Sequence, residues 1–128
     1  MKKNNLTIII NKPVIEVFEF TINPNNTPQW IKGIKEELSD NYPPNINTIY
    51  KNCDNSNRWN YYKVIEFIKN KIFTLRAFDN NYFVRYSYKK LGNNKTELEY
   101  LEWVEKGDLE NPFTQDILEK LKEVLEAK

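Results

Sequence analysis

Leu6, Ile8 and Ile10 occupy every second position, with Thr7 and Ile9 between them, the period of a strand that buries one face. Asn11-Lys12-Pro13 interrupts the run, and Pro13, with its fixed φ and missing N–H, suits the first turn of a helix. Val14, Val17, Phe18 and Thr21 then recur at helical spacing while Glu16 and Glu19 fall on the opposite side, which predicts about two turns over Val14 to Ile22. Asn23-Pro24 stops that helix. Thr27-Pro28 reads as an N-cap with a first-turn proline, so a second short helix is expected to carry Trp30.

Beyond Trp30 the period changes to two. Strands are predicted near Gly33 to Leu38, Ile46 to Cys53, Trp59 to Ile68, Ile72 to Phe78, Tyr82 to Lys90 and Thr96 to Glu105. Asn70-Lys71, Asp79-Asn80-Asn81 and Gly92-Asn93-Asn94 separate neighbours with residues that tolerate left-handed backbone, so the strands should form an antiparallel meander. The closing segment is the clearest helix. Asn111 is placed to cap it and Pro112 to occupy its first turn, with Phe113, Ile117, Leu118, Leu121, Val124 and Leu125 on one stripe. From Pro112 to Lys128 it would run about 25 Å. A stripe of that length needs an apolar bed, and the inner face of the sheet is the only candidate. The expected fold class is α+β: a curved antiparallel sheet of about seven strands, two short helices after the first strand, and a long C-terminal helix across the concave face.

Composition narrows the classes of function. The chain has 128 residues, the size of a single domain over 1–128, and a net charge of +1 with both signs dispersed. No field is expected that would attract nucleic acid. Aromatic residues make up 14% of a chain that is only 40% hydrophobic, so large rings must build much of the core. The single cysteine, Cys53, has no intrachain partner, and the apolar run after Met1-Lys2-Lys3 is too short for a signal segment or a membrane span. A cytoplasmic location is expected. A homodimer stays open, and the sequence does not fix the oligomeric state.

Several chemistries lack their residues. Without histidine no Ser-His or Cys-His pair can be assembled, nor a His-based metal site, and no Asp/Glu run has the density of a calcium loop. The three glycines, Gly33, Gly92 and Gly107, are too scattered for a phosphate loop. No metal and no cofactor is expected, and any proton transfer falls to Glu, Asp, Tyr or Lys tuned by burial.

Aromatic residues on the strands are the candidate ligand contacts. One face of the strand from Trp59 carries Trp59, Tyr61, Ile65 and Phe67; one face of the strand from Tyr82 carries Tyr82, Val84, Tyr86 and Tyr88; the last strand adds Leu98 and Tyr100. If these faces turn inward they line the space under the closing helix, with Trp30 in the core or at its mouth. Each ring has core filling as its alternative role. Glu102 is the candidate catalytic residue, because strict alternation from Leu98 and Tyr100 turns it inward, where desolvation would tune its carboxyl. That parity leaves Leu101 and Trp103 in water. A bulge near Tyr100 would bury those two and expose Glu102, and the apolar cost favours the bulge or a strand end there. Lys63 raises the same problem on its strand, where an exposed tip is the simpler answer.

The order strand, two short helices, six strands, long helix resembles the START-like, or SRPBCC, superfamily, in particular its polyketide cyclase/dehydrase branch. Ile8-Ile9-Ile10, Pro13-Val14, Val17-Phe18, Asn23-Pro24 and Trp30 are similar to the opening pattern of that family, Thr96 and Leu98 to its last strand, and Leu118 to Leu125 with Glu126 to its closing helix. The resemblance covers essentially the whole chain. It implies a helix-grip fold with a tunnel for a small hydrophobic molecule between the C-terminal helix and the sheet, with an aromatic or polyketide-like compound favoured by the tyrosines. Some relatives bind and others catalyse, so any activity implied is of the cofactor-independent cyclase or dehydratase type. The alternative is a protein-interaction module resembling activators of heat-shock chaperone ATPases. Asn111-Pro112-Phe113 stands where many of those activators carry Gly-Trp, which weakens that alternative, and the short closing helix implies a small or shallow cavity.

Overall fold

The computed structural model describes residues 1–128. Its elements in chain order are β1 (Lys2–Ile10), α1 (Val14–Ile22), a 3-10 helix (Pro24–Gln29), β2 (Glu36–Ser39), β3 (Ile49–Cys53), β4 (Trp59–Ile68), β5 (Ile72–Ala77), β6 (Tyr82–Gly92), β7 (Lys95–Val104) and α2 (Gln115–Glu126). The seven strands form one sheet in the order β1-β7-β6-β5-β4-β3-β2, with every pair antiparallel. Only β1 departs from a plain meander, crossing to pair with β7. The helices gather on the concave face, so the expected helix-grip architecture is present. No helix is long and apolar enough to cross a membrane.

Local chemistry explains where the elements stop. The Asn23 side chain accepts a hydrogen bond from Asn25 N at 3.0 Å, so the residue that ends α1 also caps the 3-10 helix, whose first residue is Pro24. Trp30 follows the last turn of that helix instead of riding on a separate one. Strand β3 starts later than expected because Asn47 takes a φ of 74° and Asn45 N donates to Thr48 Oγ1, which holds residues 45–48 in a turn. Strand β2 likewise begins only at Glu36, after a turn closed by Ile34 N on Ile31 O. Asn111 has a φ of 51°, a left-handed conformation at odds with an N-cap, and Thr114 with extended backbone takes that place. The helix is therefore twelve residues long, about 18 Å rather than 25 Å.

Burial on the concave face follows from these positions. Leu118, Leu121 and Leu125 of α2 are almost completely buried, each contributing about 2 kcal/mol of hydrophobic stabilisation. Beside them Phe18 of α1 meets the edge of the Tyr88 ring at 5.0 Å and Phe67 at 5.6 Å. Rings supply what aliphatics do not: Tyr50, Phe73, Tyr86 and Tyr100 belong to the same core. Helix α2 lies at the β1 end of the sheet, where Gln115 Nε2 donates to Thr7 O at 3.0 Å and Lys122 Nζ to Ile9 O at 2.8 Å. Both carbonyls lie on the outermost strand. Replacing Leu121 by Ala should cost about 3 kcal/mol through the cavity left behind. Urea unfolding is expected to show a lower midpoint with an unchanged slope.

Candidate functional site

Glu102 faces inward and is 1% exposed, so the bulge favoured from sequence is absent: β7 pairs in unbroken register with β1 along its length. Outward-facing Trp103 does not stand bare in water. Phe83 stacks on it with ring centroids 4.9 Å apart and planes 4° from parallel, and the Arg85 guanidinium lies 5.2 Å from its ring centre. These contacts offset the apolar cost that argued for the bulge. The Glu102 carboxylate accepts three hydrogen bonds, from Asn4 Nδ2 at 2.9 Å, Phe113 N at 2.7 Å and the Tyr82 hydroxyl at 2.6 Å. Asn4 also donates to Phe113 O at 2.9 Å. The group is thereby engaged in tying the segment before α2 to β1 and β6.

Phe113, held in that way, stacks on Tyr100 at 4.1 Å and meets Trp30 edge-on at 6.1 Å, while Tyr86 touches both Trp30 and Tyr100. Trp30, Tyr86, Tyr88 and Tyr100 are all buried on the concave side. Trp59 and Tyr61 are not with them. They are 38% and 43% exposed and face outward, because alternation in β4 turns Tyr62 and Val64 inward and a bulge between Val64 and Glu66 then returns Phe67 to the core. Lys63, on the same face as Trp59 and Tyr61, was the sequence signal for this parity.

Three spaces adjoin the core, one of them an open groove of about 490 Å³ between α1 and the end of α2, lined by Phe20, Leu125 and polar side chains and by no strand residue. A small pocket of about 80 Å³ lies over β3 to β6 beneath Thr27, Ile31 and Ile34, and Phe113 is its neighbour from the C-terminal segment. No residue of α2 lines it, so the expected cavity between that helix and the sheet is corrected: leucines fill the contact, and tyrosines fill most of the rest. An open cleft of about 610 Å³ lies at the strand ends, formed by Trp59, Tyr61, Phe78 and Val104 on one side and Asp108 and Glu110 on the other. Tyr62 and Tyr82 line both the pocket and the cleft. Neither of these two linings includes a lysine or arginine.

The pocket contains a carboxyl group that the sequence did not single out. Glu37 of β2 is half-buried and accepts hydrogen bonds from the Thr27 hydroxyl at 2.5 Å and Asn52 Nδ2 at 3.1 Å. Burial pushes its carboxyl above the usual value, more than these two hydrogen bonds pull it down. Burial likewise raises the phenols of Tyr50, Tyr82, Tyr86, Tyr88 and Tyr100, and pushes Tyr62 up to about 12, with the Glu37 charge next in importance there. The tyrosines are therefore neutral hydrogen-bonding groups near pH 7. The Tyr50 hydroxyl donates to Ile22 O at 2.6 Å and that of Tyr88 pairs with Thr21 Oγ1 at 2.5 Å. Glu37 has no periodic signature, since its partners lie ten and fifteen residues away in sequence.

No family model matches the sequence, and no curated protein does. Solved structures share the fold. A START superfamily protein from Mycobacterium smegmatis is 18% identical with a TM-score of 0.69, over 98% of this chain and 94% of that one. Aha1 from Colwellia psychrerythraea, solved as a dimer, is 15% identical with a TM-score of 0.69, over 98% and 97% of the two chains. The di-domain ARO/CYC BexL of the BE-7585A biosynthetic pathway is 9% identical with a TM-score of 0.67, over 81% of this chain and 36% of that one. The fold is thus the helix grip of START-like, SRPBCC-type proteins.

Two substitutions separate the carboxylates. Glu102→Gln places an amide among three donors and strands at least one of them, so a loss of about 2 kcal/mol is expected in urea unfolding. Glu37 works in the opposite sense. A carboxyl raised in the folded chain holds its proton more tightly there, so its contribution to stability is present below the ordinary value of 4.5 and is lost as pH rises through the folded value. Glu37→Gln should raise stability at pH 7 and remove that loss, as measured by chemical denaturation at pH 4 and pH 7.

Proposed function

We propose that this chain binds a small hydrophobic molecule with an aromatic or polyketide-like body in the cleft at the open end of its sheet. The carrying observation is the cleft itself: about 610 Å³, within the range of small-molecule sites, with the outward rings of Trp59, Tyr61 and Phe78 on its wall. Phe78 is 55% exposed and packs against Tyr61 at 5.7 Å, so apolar area there is still in water and available for burial. Trp30, Tyr86, Tyr88 and Tyr100 do not line this cleft; Tyr86 and Tyr100 line the small pocket that shares Tyr62 and Tyr82 with it. Binding rather than turnover is the reading that the polar groups support. The phenols are held neutral and Glu102 is occupied by three donors, which gives it an anchoring task in place of the catalytic one.

The exposed rings also favour a second reading, a protein-interaction module resembling activators of heat-shock chaperone ATPases, and the fold likeness to Aha1 adds to it. The two readings separate in one experiment. Thermal unfolding with naringenin, cholesterol or oleate should raise Tm by several degrees for at least one probe, as expected for saturation of a single site. Tyr61→Ala combined with Phe78→Ala should abolish the shift. Silence with every probe, together with recovery of an ATPase chaperone on immobilised protein, overturns the ligand reading in favour of the second.

A further inference from the structure

We infer that Glu37 and Tyr86, in the small pocket beside the cleft, form the polar anchor for a ligand whose ring lies in the cleft, and select one bearing an ammonium group on an aromatic body. The inference rests on the proposal that the cleft binds a small molecule and adds the chemistry that the ligand must present. Glu37 uses one hydrogen bond on each carboxylate oxygen, which leaves about two of its four lone-pair positions open. The Tyr86 hydroxyl, in a residue only 7% exposed, makes no side-chain hydrogen bond and lines the same pocket as Glu37. An acceptor with spare capacity and an unpartnered hydroxyl thus line the same 80 Å³ pocket.

Charge selects the sign of the guest. A partly buried carboxylate with no basic side chain in its surroundings gains most from a cation brought by the ligand. The approach reinforces that choice, because Asp79, Asp108 and Glu110 line the cleft that shares Tyr62 and Tyr82 with this pocket, and no lysine or arginine lines it. Among them only Asp108 has a cationic partner, Lys2 at 3.9 Å, and both are well exposed. A ligand carboxylate would meet repulsion from each of these groups. Size selects the rest. The pocket admits roughly two or three water-sized groups, enough for an ammonium and the methylene beside it, so the inferred ligand passes between Tyr62 and Tyr82, which line both spaces, and keeps its ring on the cleft side. Aromatic faces there also attract cations.

Phenethylamine, 2-phenylethanol and 3-phenylpropanoate share one body and differ in the head group. Titrated into the wild-type protein, with the Asn52 side-chain amide followed by NMR and affinity by calorimetry, the amine should bind about tenfold more tightly than the alcohol, the size of one charge-assisted hydrogen bond. The acid should not bind. Glu37→Gln should reduce the amine to the level of the alcohol. Equal affinity for amine and alcohol in the wild-type protein, or a preference that survives Glu37→Gln, overturns the anchor, and the wild-type series decides alone if the variant does not fold. If all three probes are silent while naringenin or oleate still raises Tm, the anchor falls and the cleft remains. If those are silent too, both fall.

Discussion

A carboxylate that cannot reach water must be met by donors, and in this protein the donors that meet Glu102 come from three separate parts of the chain. Asn4, Tyr82 and the backbone of Phe113 converge on it from β1, β6 and the segment before α2. Removing any one leaves an unpaired group in a dry interior, so the arrangement is all-or-none in a way that apolar contacts are not. It also sets a geometry. With its backbone N–H pinned, Phe113 can only lay its ring on Tyr100, and the helix that follows starts one residue after Thr114 on the β1 side of the sheet. That single side chain thereby holds the segment before α2 against the sheet.

What occupies the middle is aromatic. The concavity is filled with Tyr50, Phe73, Tyr86, Tyr88 and Tyr100, whose rings meet at centroid distances near 5 to 6.5 Å. Rings packed that way leave little room, and the enclosed volume shrinks to about 80 Å³. The hollow implied by the fold is therefore displaced outward. The largest open volume beside it is the cleft at the strand ends, where the rings of β4 and the β5–β6 turn remain half in water.

The strands and helices were legible because each buries one face and so writes a period of two or 3.6 into the residues, whereas the crossing of β1 to β7 leaves no such mark. Element ends were legible only where proline or an ordinary cap set them. Asn47 and Asn111, in left-handed conformations, moved the starts of β3 and α2, and nothing in an asparagine-rich chain distinguishes those two from the others. Facing was harder than pairing. Counting from Trp59 gave the wrong parity for Trp59 and Tyr61, although Lys63 stood on the same face; counting from Leu98 gave the right parity for Glu102, although Trp103 argued against it. In both cases the deciding term was a neighbour on another strand, Phe83 for Trp103 and Leu75 for Val64, which the local pattern does not contain. Glu37 was invisible for the same reason, its role being set by Thr27 and Asn52.

The contact of Gln115 and Lys122 with the carbonyls of Thr7 and Ile9 reaches beyond the folding of one molecule. Those oxygens lie on the free margin of the sheet, the place where a stray strand from a neighbouring copy could zip on. The terminal helix acts as a selvedge that keeps this border from fraying into intermolecular ladders, while the opposite border, β2, is only four residues long and offers little to grip. A clipped tail would turn an insulated hem into an adhesive one.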